Sequence, residues 1–177
     1  MPQATLTRPT ATEYAPYYGT YISKVPDEEL LGLLERQRRE TQALLNGIPE
    51  SQALHRYAPG KWSIKEVIGH LCDAERVFAY RAMRFARGDA SPLASFDEKT
   101  YVPAGEFDAR PLADLAAEFD HVRQATIDLL RGLPAGASER RGVASGHDVS
   151  VRALAFIIAG HERHHLAIIR ERYLAGN

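Results

Sequence analysis

The sequence predicts an all-α fold, a four-helix bundle with long connections and an N-terminal arm. Three observations point to it. Four stretches place apolar residues on one face at three- and four-residue steps, the period of a helix with one buried face. Capping or stopping residues bracket these stretches. No stretch competes with the two-residue alternation of a strand, and four amphipathic helices suffice to close a bundle around one core.

Residues 1–25 are rich in Pro, Thr and Tyr and lack a clear period, so they read as an arm lying across the body. Tyr14, Tyr17, Tyr18 and Tyr21 would cover apolar surface or a subunit contact. Residues 26–177 read as a single domain. Its first helix should start near Pro26-Asp27 with Asp27 as N-cap, and bury Leu30, Leu34, Thr41, Leu44, Leu45 and Ile48. Gly47 and Pro49 stop it. The second helix opens at Ser63, and Glu66 three residues on completes a capping box. Its stripe is Ile64, Val67, Leu71, Ala74, Phe78, Ala82 and Phe85, and it ends near Arg87-Gly88. Residues 89–109 carry Pro92, Pro103 and Gly105 and read as an irregular loop, long enough to be functional. Pro111 then occupies the first turn of a third helix with the seam Leu112, Leu115, Phe119, Val122, Thr126 and Leu129. A second loop, 132–149, leads to Ser150, the cap of a fourth helix running to about Leu174.

Composition bounds the function. The 177 residues are 45% hydrophobic, enough for one real core. Lys and Arg number 22 against 23 acidic residues, so the basic excess of a nucleic-acid binder is missing. No apolar run approaches membrane-spanning length. The opening Met1-Pro2-Gln3-Ala4-Thr5-Leu6 lacks the pattern of a signal peptide, and the one cysteine, Cys72, cannot form an intrachain disulfide. A cytoplasmic protein with no membrane or nucleic-acid partner is the expectation. Cys72 falls two residues past His70, on roughly the opposite helix face, and reads as a packed thiol.

The seven histidines separate by position. Each helical residue advances about 100°, which sets His161 and His165 in the middle of a stripe that includes Leu154, Ile157, Ile158 and Ile168. Two imidazoles among aliphatic side chains are costly unless their nitrogens are satisfied. At i and i+4 they share a face and can reach one ion. His70, on the second helix between Val67 and Val77, leans inward and supplies a third ligand from a facing helix. The bland alternative is a set of hydrogen-bonded core histidines. His164 falls on the flank, His121 off its helix's seam, and His55 and His147 in loops; His147 would reach the site only if its loop folded over.

His161-Glu162-Arg163-His164-His165 also satisfies H-E-x-x-H, the zinc-protease signature. Only twelve residues follow His165, and none is a histidine that could be the later third ligand. The protease reading is therefore set aside. Glu162 stays a candidate for activating a water at the metal, against the plainer role of a polar or salt-bridging residue at the edge of the helix.

The stretch Tyr57-Ala58-Pro59-Gly60-Lys61-Trp62-Ser63-Ile64-Lys65-Glu66-Val67-Ile68-Gly69-His70-Leu71, with Asp73-Ala74-Glu75-Arg76, Phe96-Asp97-Glu98 and Gly160-His161-Glu162-Arg163-His164-His165, resembles the DinB/YfiT-like superfamily. The likeness covers about residues 15 to 174, and W-S-x-x-E-x-x-x-H joined to a late H-x-x-x-H is specific. The resemblance implies a four-helix bundle whose second connection crosses over. It implies a metal site at His70, His161 and His165, all present here. Members are often described as metal-dependent hydrolases. Others are S-transferases or isomerases that use bacillithiol, mycothiol or glutathione, and homodimers are common.

One divalent ion on three imidazoles could be Zn²⁺ or Ni²⁺, with Mn²⁺ and Fe²⁺ also compatible. Its open position would serve a water in a hydrolase or a low-molecular-weight thiol in a transferase, so the histidines do not choose between the two. A metal-binding protein of stress response or metal handling, without turnover, is the alternative class. The wall of a small-molecule pocket is sketched by Asp97, Glu98 and Tyr101 as substrate or supporting groups, with loop capping as their plainer role. Trp62 reads as a plug at the start of the second helix. Arg76 and Arg81 would pair with Asp73 or Glu75, or meet an anionic thiol.

Overall fold

The computed structural model describes residues 4–89 and 91–175. Residues 1–3 of the expected arm lie outside that range. Four long helices form the body: α2 (Leu30–Asn46), α4 (Ile64–Ala86), α6 (Leu112–Arg131) and α7 (Val151–Ile168), the last continued by a π-helical turn, Ile169–Tyr173. Short helices α1 (Gly19–Ile22), α3 (Glu50–Ala53) and α5 (Glu98–Ala104) precede or join them. A hairpin of β1 (Arg141–Ala144) and β2 (His147–Ser150) fills the last connection. Both α2 and α4 pack chiefly on α6 and α7, so consecutive helices α2 and α4 stand at opposite corners of the bundle. No helix among the described residues is long and apolar enough to cross a membrane.

Capping residues set the boundaries. Ser63 Oγ accepts from Glu66 N at 3.0 Å, Glu66 Oε2 accepts from Ser63 N at 2.8 Å, and α4 starts there as expected. Ser150 caps α7 through Ala153 N. The first long helix departs from expectation. Its cap is Glu29, whose carboxylate accepts from Leu31 N and Gly32 N, not Asp27. Pro111 is the N-cap residue of α6 rather than its first turn.

The two loops hold more structure than their composition announced. Residues 89–109 contain α5 and a 3₁₀ turn, Phe107–Ala109. Residues 141–150 pair through the two-residue turn Ser145-Gly146, both at positive φ, the geometry that suits hairpin twist. Gly142 in β1 is required by packing: a Cβ there would sit 2.1 Å from the Phe85 ring.

The core is split in two. One apolar half includes Leu33, Leu34, Phe78, Phe85, Ile127 and Ile157; the other includes Leu45, Ile64, Val67, Leu115, Phe119 and Leu166. Every long helix passes from one half to the other through buried polar residues: Gln37 and Thr41 on α2, Glu75 on α4, Arg123 on α6, His161 and Glu162 on α7. Val122 and Leu129, expected on the α6 seam, are half-buried instead, on an outer groove with Tyr80 and Met83; Arg123, Ile127 and Leu130 face inward.

The N-terminal segment is fastened to α7. Glu13 accepts two bonds from Arg152, both 2.7 Å, and one from Ser150 Oγ at 2.8 Å. Arg152 above all holds the Glu13 carboxyl down to about 2 despite its burial. Further along, α1 crosses α7 so closely that a Cβ on Gly160 would lie 2.1 Å from the Tyr21 carbonyl oxygen. In an unobstructed helix Gly→Ala gains about 1 kcal/mol. Here the backbone contact must open, and Gly160→Ala is expected to destabilise by about 1–3 kcal/mol, the cost of overpacking. Urea unfolding checks the sign.

Candidate metal centre

Each histidine reaches the centre from a helix whose apolar stripe holds it there. His161 and His165 lie one turn apart on α7, and His70 comes from α4, which packs directly against α7. Nε2 of His161 lies 3.1 Å from Nε2 of His70 and 3.1 Å from Nε2 of His165. Ligand atoms of all three residues fall within 4.8 Å of one another, and no other His, Cys, Asp or Glu joins the cluster among the described residues.

Hydrogen bonding alone serves this arrangement poorly. Nε2 of a neutral imidazole either donates one proton or offers one lone pair. Both neighbours claim the same Nε2 of His161. A divalent ion fits better, since two nitrogens on a tetrahedral zinc stand about 3.3 Å apart. The electrostatics favour the ligand form as well. Burial holds His70 down to about 4 and His165 down to about 3, and burial with neighbouring imidazoles holds His161 well below its ordinary value. All three are neutral near pH 7, with lone pairs available.

The cluster lies in a cavity of about 300 Å³. Tyr17, Tyr18 and Tyr21 from the N-terminal segment line it together with Trp62, Phe78 and Phe96. The Tyr21 ring meets His161 edge to face at 5.1 Å, and the Trp62 ring lies 4.9 Å from His70. Tyr17 and Tyr21 share a hydroxyl hydrogen bond of 2.8 Å, and burial pushes the Tyr21 hydroxyl well above its ordinary value, so it stays protonated. The volume is at the lower end for small-molecule sites.

The other candidates scatter. Glu162 is fully buried rather than at a helix edge: Oε1 accepts from Thr41 Oγ1 and Oε2 from Arg123 Nη1, and it is not among the residues that line the cavity. Asp97 caps α5 through Lys99 N, and Tyr101 is exposed against Phe96, so neither lines the cavity; Glu98 does. Trp62, expected as a plug, forms part of the cavity wall. Arg81 pairs with neither Asp73 nor Glu75. It is buried, donates to Ala94 O at 2.7 Å and Ser145 Oγ at 2.9 Å, and so braces the hairpin turn at the cavity edge. Arg76 bonds Glu118 at 2.6 Å and lies 3.7 Å from Asp73. His147 stands exposed on β2, His164 lines the cavity beside the cluster, and Cys72 is buried in the core.

Arg123 carries no signal of its role in the α6 pattern. It is fully buried and forks to Glu75 at 2.7 and 2.8 Å while a third nitrogen holds Glu162. One guanidinium on α6 thus ties together the two helices that carry the histidines.

The sequence profile of the DinB superfamily matches residues 33–169. No curated protein matches the chain. Among solved structures it is similar to YfiT from Bacillus subtilis, at TM-score 0.75 and 19% identity, over 97% of this chain and 98% of that one. YfiT is described as a probable metal-dependent hydrolase with an unusual four-helix bundle topology. At that identity the likeness carries the fold.

Proposed function

The chain belongs to the DinB superfamily, and from that premise we propose that it is a metal-dependent enzyme, hydrolytic toward a small molecule, with its ion on His70, His161 and His165. The observation that carries this reading is the convergence of three neutral imidazoles at an accessible aromatic cavity, with no fourth protein ligand in the cluster among the described residues. A structural ion is normally closed in by four protein ligands, whereas three leave room for chemistry.

When bound, a divalent ion on three neutral ligands keeps its full double charge and supplies Lewis acidity at about neutral pH. Zn²⁺ and Ni²⁺ suit the nitrogen donors best, and Mn²⁺ or Fe²⁺ would also bind. The protein's own part is positional. The arm tyrosines, Trp62, Phe78 and Phe96 hold the apolar part of a substrate and exclude bulk water. The Arg123 fork fixes α4 against α7, and with them the spacing of the imidazoles.

The test is turnover by zinc-loaded protein of p-nitrophenyl acetate, beside bacillithiol with monochlorobimane. Ester hydrolysis is expected, falling at least about 100-fold on chelation or in His161→Ala. Turnover only in the presence of the thiol would replace hydrolysis by S-transfer at the same histidines. Inertness in both assays with the metal bound would leave a metal-binding protein without catalysis.

A further inference from the structure

We propose that Glu98 is the catalytic residue that accepts the proton of the nucleophile in this cavity; the inference rests on the metal-enzyme reading above. Glu98 is the first residue of α5. That helix packs on α4, with Val102 buried in the same apolar half as Val67 and Leu71. Phe96, two residues earlier, meets Phe78 edge to face at 6.1 Å. These contacts place Glu98 in the lining of the cavity that holds His70, His161 and His165.

Glu98 differs from the buried and capping carboxylates elsewhere in the fold. It is the one carboxylate among the cavity's lining residues, and Arg81, the cation at the cavity edge, is bound instead to Ala94 O and Ser145 Oγ. Glu75 and Glu162 are held by Arg123, Glu13 by Arg152, and Asp97 by the start of α5. No hydrogen bond or ion pair engages the Glu98 side chain among the described residues. It is half-buried, so water reaches it, and a proton it takes can pass on to solvent. It lies outside the cluster of possible ligand atoms, which separates it from the metal-holding set.

The step balances with water as nucleophile. An O–H bond of water breaks and its proton passes to a carboxylate oxygen of Glu98. The freed electron pair forms the bond to the acyl carbon. The bond from that carbon to the leaving oxygen then breaks, with its electron pair going to the leaving group. Glu98 returns its proton to the leaving group or to solvent. A positioned base of this kind contributes about 10²–10⁴-fold.

The experiment compares zinc-loaded wild type, Glu98→Gln and Glu98→Ala, reading zinc affinity by chelator competition and hydrolysis of p-nitrophenyl acetate. Zinc affinity is expected to change by less than about 3-fold while kcat/KM falls about 10²–10⁴-fold. Added formate, a replacement base, should restore part of the rate in Glu98→Ala and none in Glu98→Gln. Wild-type rates in Glu98→Gln would overturn the proposal. So would zinc affinity falling in step with the rate, which would make Glu98 a ligand or a structural group. A zinc-loaded wild type inert in both the ester and the thiol assay removes the enzyme reading itself, and this proposal with it.

Discussion

Arg123→Met is expected to cost about 3–5 kcal/mol of folding stability, the usual penalty for stripping one partner from a buried ion pair. The guanidinium is fully buried and faces two carboxylates that are themselves buried, so its loss strands two negative charges in the mid-bundle layer. Burial already pushes the Glu162 carboxyl above its ordinary value, with Arg123 opposing. Without Arg123 its folded value rises further above the unfolded one. The sign follows: a raised carboxyl stabilises when protonated, so the variant should weaken as pH rises from about 5 to 8. Replacing the triad together, as Glu75→Leu, Arg123→Met and Glu162→Leu, should recover much of the loss, because no charge is then left unpaired. Urea unfolding of both proteins across that pH range checks the account, and a loss under about 1 kcal/mol in Arg123→Met would contradict it.

Acid should act on the metal-free protein through the histidines. His70 is held down to about 4 and His165 to about 3 by burial, both below the ordinary value of 6.5. Between the folded and unfolded values the unfolded chain binds more protons. The stability these groups contribute is therefore whole above about pH 6.5 and is lost as pH falls through the folded values. His70 alone accounts for about 3 kcal/mol between those limits. A bound divalent ion competes with the same protons and should shift the loss to lower pH. Chelated and zinc-loaded samples, unfolded in urea from about pH 7.5 to 4.5, should diverge in this way; a chelated protein equally stable across the range would count against buried neutral imidazoles.

What the sequence made legible was local. The Ser63–Glu66 box, the α4 stripe and the Ser150 cap each need only neighbouring residues, and each stands where the pattern put it. The turn signal Ser145-Gly146 was present too, but the strands flanking it are four residues each and too short to outweigh a loop-like composition. Arg123 could not be read from α6 alone. An arginine looks solvated until Glu75 and Glu162 arrive from two other helices, and the seam drawn through Val122 and Leu129 missed by one residue because of it. The arm hid its role for the same reason. Tyr21 reaches His161 only because Gly160 lets two backbones meet, a contact between residues far apart in the chain.

Elemental analysis of the purified protein after zinc loading and desalting, wild type beside His165→Ala, tests the metal centre most directly. The three-imidazole geometry predicts about one ion per chain in the wild type and less than about a tenth of that in the variant, both still helical by circular dichroism. Equal metal in the two proteins, or none in the wild type, would contradict it.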